Sequence, residues 1–121
     1  MTRSFQRVRT LGLCGATFAA IALSAGIAAV PASATSTATI YGCYTSYTSS
    51  GGYAYCNRIT VNADVWASAN CYNWPGDVGG SAYLDKGSSD GPFSHIGCTT
   101  HITKGFINVQ FGDPPVTHTA S

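Results

Sequence analysis

The segment YAYCNRITVNADVW, residues 53–66, carries the strongest structural signal in this chain. Tyr55, Ile59, Val61, Ala63 and Val65 alternate with Arg58, Thr60, Asn62 and Asp64, the period-2 pattern of a half-buried β-strand. Cys56 falls on the polar side of that register, and a bulge near Asn57 would restore it. We therefore read Tyr53 to Trp66 as one long strand and work outward from it.

On the N-terminal side, Ile40 to Tyr47 reads as a first strand, with Ile40 and Tyr44 on one face and Tyr41, Cys43 and Tyr47 on the other. Ser49-Ser50-Gly51-Gly52 is a turn, and Thr35 to Ala38 a frayed polar leader. On the C-terminal side, Asn70 to Trp74 is a short third strand stopped by Pro75-Gly76. Ser81 to Asp85 is a fourth, with Ala82 and Leu84 on one face and Tyr83 on the other. Residues 86–92 form a polar loop, and Phe93 to Thr99 a fifth strand. His101 to Phe111 is a sixth, with Ile107, Val109 and Phe111 on one face and Gly105 marking a bulge or a close backbone approach. Gly112 to Pro115 ends it, leaving Val116 to Ser121 as a tail. Six short strands with regular turns and no helical pattern after residue 34 predict an all-β domain, a Greek-key sandwich or small barrel.

The first 34 residues read as a secretory signal peptide. Arg3, Arg7 and Arg9 form a positive start, Leu11 to Val30 is apolar or small, and Pro31-Ala32-Ser33-Ala34 offers small residues at the cleavage positions. A retained membrane anchor is the competing reading; the Ala-Ser-Ala end favours cleavage after Ala34. Cys14 lies too early for lipidation, and no paired arginines mark a twin-arginine route. The expected product is one secreted, extracellular domain, Thr35 to Ser121, no longer held at the membrane.

That domain keeps Arg58, Lys86 and Lys104 against Asp64, Asp77, Asp85, Asp90 and Asp113, a net charge of −2 with His neutral. Three scattered cations make a poor nucleic-acid or anionic-membrane binder. Glu is absent and Leu84 is the single Leu after the signal, so helix formers are scarce. A core this small calls for covalent staples.

Removing Cys14 leaves Cys43, Cys56, Cys71 and Cys98, which implies two disulfides in an exported domain. Three pairings are open. Cys43 with Cys56 and Cys71 with Cys98 is preferred, the first closing a hairpin and the second a longer loop. Gaps of 12, 14 and 26 residues do not match zinc-ligand spacing, and no metal or cofactor is expected.

Candidate chemistry is thin. The five Asp residues include none in a clearly apolar register, and Asp77, Asp85, Asp90 and Asp113 occupy turn contexts. The Asp85–Asp90 loop lacks the ligand pattern of an EF-hand. A Ser nucleophile is not expected, because 87 residues is small for a triad enzyme. His95, His101 and Lys104 could run acid–base chemistry on a phosphodiester, but the cationic surface a ribonuclease wants is missing. The expectation is a non-enzymatic protein. The aromatic residues are more suggestive: Trp66, Tyr72 and Trp74 cluster around a predicted strand and turn, where Tyr and Trp offer large contact area at low entropy cost. They are the candidate binding residues, for a protein surface or for sugar rings.

The segment Cys43 to Cys98 resembles the tendamistat-type proteinaceous α-amylase inhibitors of soil bacteria. The likeness lies in Cys43-x-Thr45-x-Tyr47, in Cys56 followed by Ile59-Thr60-Val61, in Cys71-Tyr72 leading to Pro75-Gly76, and in a fourth cysteine after a similar gap. It implies a six-stranded sandwich with sequential disulfides, Cys43–Cys56 and Cys71–Cys98. Those inhibitors carry a Trp-Arg-Tyr triplet at the tip of the first hairpin; here the stretch from Tyr47 to Tyr53 has neither Trp nor Arg, the first loop is shorter, and 23 residues follow Cys98. No residue inherits the inhibitory role. The expected function is a monomeric secreted inhibitor-like domain acting on an extracellular hydrolase, such as a glycoside hydrolase. The alternatives are a polysaccharide- or surface-binding module using Trp66, Tyr72 and Trp74, and a small secreted toxin or ribonuclease.

Overall fold

The computed structural model describes residues 34–121; the predicted signal peptide, 1–34, lies outside them except for Ala34. The described chain is all-β, with nine strands where the sequence reading expects six: β1 (Thr35–Ser36), β2 (Cys43–Thr48), β3 (Gly51–Cys56), β4 (Ala63–Cys71), β5 (Trp74–Val78), β6 (Ala82–Leu84), β7 (Asp90–Ile96), β8 (Ile102–Phe111) and β9 (Val116–Ala120). One antiparallel sheet has the order β1-β2-β3-β7. The other runs β9-β8-β4-β5, with β6 pairing the opposite half of the same β4 edge as β5. The sheets face each other and do not close into a barrel.

The core lies between them. Ala63, Val65, Ala67 and Ala69 of β4 point inward with Ile107 and Val109 of β8, against Cys43, Ala54, Cys56 and Ile96 of the smaller sheet. The row on β4 is made of small side chains, which lets the sheets come close. Thr45 of β2 is fully buried and donates its hydroxyl to the Phe106 carbonyl of β8 at 2.9 Å, so one of the few polar groups in the core stitches the sheets together. Gly105 is a close approach, as its isolation in an apolar run predicts: a Cβ there would come within 2.5 Å of the Tyr47 ring.

The long strand expected at residues 53–66 is corrected to two. β3 ends at Cys56 and β4 begins at Ala63, on the opposite sheet. No bulge forms at Asn57. Instead Arg58 takes a φ of 53°, and residues 57–62 cross between sheets. The crossing is bent and carries Ile59 into the core, with its backbone bonded to Ser88 and Gly87. It therefore keeps a strand-like alternation without strand pairing. The third expected strand, Asn70 to Trp74, is also corrected: it is a hairpin whose turn is Tyr72-Asn73, with Cys71 opposite Trp74 and Asn73 at φ 48°. Pro75-Gly76 sits inside β5, which pairs only with β4; a proline without an N–H is tolerated on such an edge. The leader and the tail are both edge strands, β1 on β2 and β9 on β8, and their ends meet where the Ala38 N–H donates to the Ser121 carbonyl at 3.2 Å.

Both preferred disulfides are present, Cys43–Cys56 and Cys71–Cys98. Such bridges belong to an oxidising, extracellular-type compartment.

Candidate binding site at the loop end of the sandwich

Three connections meet at one end of the molecule: the β2–β3 turn at Ser49-Ser50, the β4–β5 turn at Tyr72-Asn73, and the β7–β8 loop from Gly97 to His101. They are tied to one another rather than to solvent. The Tyr72 N–H donates to the His101 carbonyl at 3.0 Å, and the Thr100 hydroxyl to the Tyr72 carbonyl at 2.7 Å. The Ile102 N–H donates to the Ser49 carbonyl at 2.8 Å, which draws the β2–β3 turn in. The Gly97 N–H donates to the Asp77 carboxylate at 2.8 Å, and the Thr103 hydroxyl to the Asn70 carbonyl at 3.2 Å. Cys71–Cys98 fastens the hairpin to the loop. Backbone groups that a loop would otherwise leave to water are thus used to fix its shape.

On this frame Tyr72 and Trp74 are 52% and 57% exposed. His101 stacks on Tyr72, with ring centroids 5.0 Å apart and planes within 14°. Sequence reasoning placed Tyr72 and Trp74 together correctly, because they are near neighbours in the chain and flank a turn. It missed His101 as their companion and Ser49 as part of the support, because both arrive from distant segments. The tip of the first hairpin shares this end of the sandwich.

Trp66 does not join them. It lies on the outward side of β4, half-buried, five residues before Cys71 and so roughly 16 Å back along the strand. The single cluster of three expected from sequence is corrected to a pair at the loop end and one residue on the sheet face. Period-2 alternation accounts for it: Asp64, Trp66, Ser68 and Asn70 all point away from the core.

The other candidate groups are each engaged separately. His95 packs on Tyr53 at 4.9 Å, its ring beside Gly51 and Gly97, and Lys104 lies opposite Asn70 on β8. On the outer side of the small sheet Tyr44 stacks on Tyr55 at 5.4 Å. Tyr55 is almost fully covered, its ring lying against Gly91, where any Cβ would collide with it. Burial first, then the neighbouring Tyr44 and Tyr53, push the Tyr55 phenol above its ordinary pKa.

In comparisons with protein-family models, curated proteins and solved structures, nothing matches this chain.

Proposed function

We propose that this is a secreted, non-enzymatic binding protein that docks its loop end on an extracellular hydrolase and blocks it. One observation carries the reading: Tyr72 and Trp74 stand exposed on a hairpin whose shape is already fixed by a disulfide and by bonds between three loops. Large aromatic side chains on a rigid support lose little entropy on docking, and Trp and Tyr are the residues that most often dominate interface energies. The resemblance to the amylase inhibitors supports the same end of the molecule. Their inhibitory triplet sits at the tip of the first hairpin, and here that tip, Ser49-Ser50, is bonded to Ile102, the neighbour of the His101 that holds Tyr72. The aromatic contact has moved from the first hairpin to the second. An export signal ending at Ala34 and a mature chain starting at Thr35 belong to the same reading.

The test is titration of the oxidised domain, Thr35 to Ser121, into α-amylase and then into a panel of secreted glycosidases and proteases. Stoichiometric inhibition of one enzyme is expected. Trp74→Ala should weaken it by about tenfold or more, the loss that an interface hot spot of at least 1.4 kcal/mol produces. No inhibition of any enzyme at high excess would remove the reading.

A further inference from the structure

The outward face of the larger sheet carries a second site that the loop end does not use. Tyr83 of β6, Asp64 of β4 and Gln110 of β8 stand opposite one another in a single row across three strands. Trp66 follows on β4, in the next row. Two depressions adjoin this row. One, of about 380 Å³, is lined by Asp64, Trp66, Val78, Gly79, Ser81 and Gln110. The other, of about 290 Å³, has Tyr83 and Pro115 in its wall and again includes Asp64 and Gln110. Asp64 and Gln110 are therefore shared, and the two depressions adjoin across them, with Trp66 in the wall of one and Tyr83 in the wall of the other. Tyr83 is 61% exposed.

The polar groups of the groove are set by their neighbours. The Gln110 amide N–H donates to the Thr117 hydroxyl at 3.0 Å, which fixes the side chain and directs its carbonyl oxygen elsewhere. Asn108, behind Trp66, is consumed by the fold: its amide donates to the Trp66 carbonyl and the Ser68 hydroxyl, and its oxygen accepts from Thr119. The backbone of Trp66 is thus tied to β8 by a hydrogen-bond network centred on its cross-strand neighbour Asn108. No Lys or Arg is among the residues lining either depression, and the only charge there is the Asp64 carboxylate.

We propose that this groove binds a neutral oligosaccharide. Pyranose rings present apolar C–H faces to aromatic side chains and hydroxyl donors at their rims. Trp66 and Tyr83 supply the faces. The Asp64 carboxylate lies between them, with the Gln110 carbonyl beyond it on β8, and both accept from hydroxyls, the charged acceptor giving the stronger bond. A carboxylate with no cation beside it repels uronic acids, sulfated sugars and phosphodiesters, so charge selects the neutral class. The adjacency of the two depressions fits two or more sugar units rather than one.

The chain's two tryptophans make the test direct. In the oxidised Trp74→Phe protein, Trp66 is the sole tryptophan emitter. Maltohexaose, cellohexaose, laminarihexaose and chitohexaose are the neutral probes, and a galacturonic acid oligomer is the anionic one. The expected result is a saturable change in emission with at least one neutral probe and none with the anionic probe. Affinity electrophoresis in the matching polysaccharide should then show at least tenfold weaker retention for Trp66→Ala and several-fold weaker retention for Tyr83→Ala. Tyr83 is exposed, so its replacement keeps the test valid if Trp66→Ala folds poorly. No response to any neutral probe at about 10 mM, far above the Kd of even weak specific binding, overturns the proposal. So does a response confined to the anionic probe. The outcome is separable from the hydrolase reading: enzyme inhibition follows Trp74 and survives Tyr83→Ala, whereas glycan binding follows Trp66 and Tyr83 and survives Trp74→Phe.

Discussion

Cys43–Cys56 joins two residues that already stand directly opposite each other on β2 and β3, whereas Cys71–Cys98 joins the end of one sheet to the loop leaving the other. The first bridge is fully buried and forms part of the core; the second is half-buried at the loop end. Chain entropy alone ranks them in the opposite order of their burial. With separations of 13 and 27 residues, the shorter loop is worth about 3 kcal/mol and the longer roughly half a kcal/mol more. Packing reverses that order, because removing a buried bridge also opens a cavity. One bridge maintains the fold and the other maintains the shape of the site.

The sharpest way to break this contrast is to remove each bridge in turn. Cys43→Ala with Cys56→Ala should cost about 4–5 kcal/mol, the entropic term plus a cavity, which is comparable to the whole stability of a small domain. Loss of near-UV circular dichroism at room temperature is the expected readout. Cys71→Ser with Cys98→Ser should cost about 3 kcal/mol, with a lower urea midpoint but a retained β spectrum. A larger loss from the second pair would show that loop entropy, and not core packing, separates the bridges.

Gly105→Ala tests the tight spacing of the sheets that frames both bridges. The added methyl meets the Tyr47 ring, and destabilisation of about 2 kcal/mol is expected by urea unfolding. Tyr55, beside Cys56 in sequence but on the opposite face of β3, tests the burial of the small sheet's outer side. Its phenol is raised in the folded state, so its contribution is intact below the ordinary value near 10 and is lost as pH rises through the folded value. Wild-type stability should fall more steeply than that of Tyr55→Phe above pH ~10, and absorbance titration should show one tyrosine ionising late. Trp74→Ala, beside Cys71, should give the smallest stability change, within about 0.5 kcal/mol, because the side chain is exposed. A much larger loss would mean that Trp74 supports the hairpin instead of standing free on it.

The parts of the fold that sequence reveals are those whose pattern is local. β8 matches its expected span to within one residue, and the inward Ala82 and Leu84 with outward Tyr83 on β6 follow simple alternation. The cysteine pairing that the structure shows is the preferred one, although order alone left three pairings open. The crossing at 57–62 was not legible, because a connection that buries Ile59 and alternates in burial up to Ala63 has the same periodicity as a paired strand. The two edge strands were missed for the opposite reason: Thr35-Ser36 and residues 116–120 carry no apolar alternation, and they are strands only because β2 and β8 offer them partners. At the site, Tyr72 and Trp74 were legible as neighbours. The separation of Trp66 depended on how far β4 runs before it turns, and the rows linking Trp66, Asp64, Tyr83 and Gln110 depended on a register that no single segment encodes.

The bond between Ala38 and Ser121 makes the path of this chain almost a ring. Thr35 lies only three residues before that contact, so about four residues of flexible linker would span from Ser121 to Thr35. Gly80, exposed between β5 and β6 with nothing close around it, is a place where the ring could be opened instead. In such a rearranged gene the two edge strands would be synthesised as one continuous unit and the arrangement of both faces would be unchanged. What defines this architecture is in that sense the cyclic order of its strands, and not the connection at which the ring of strands is opened.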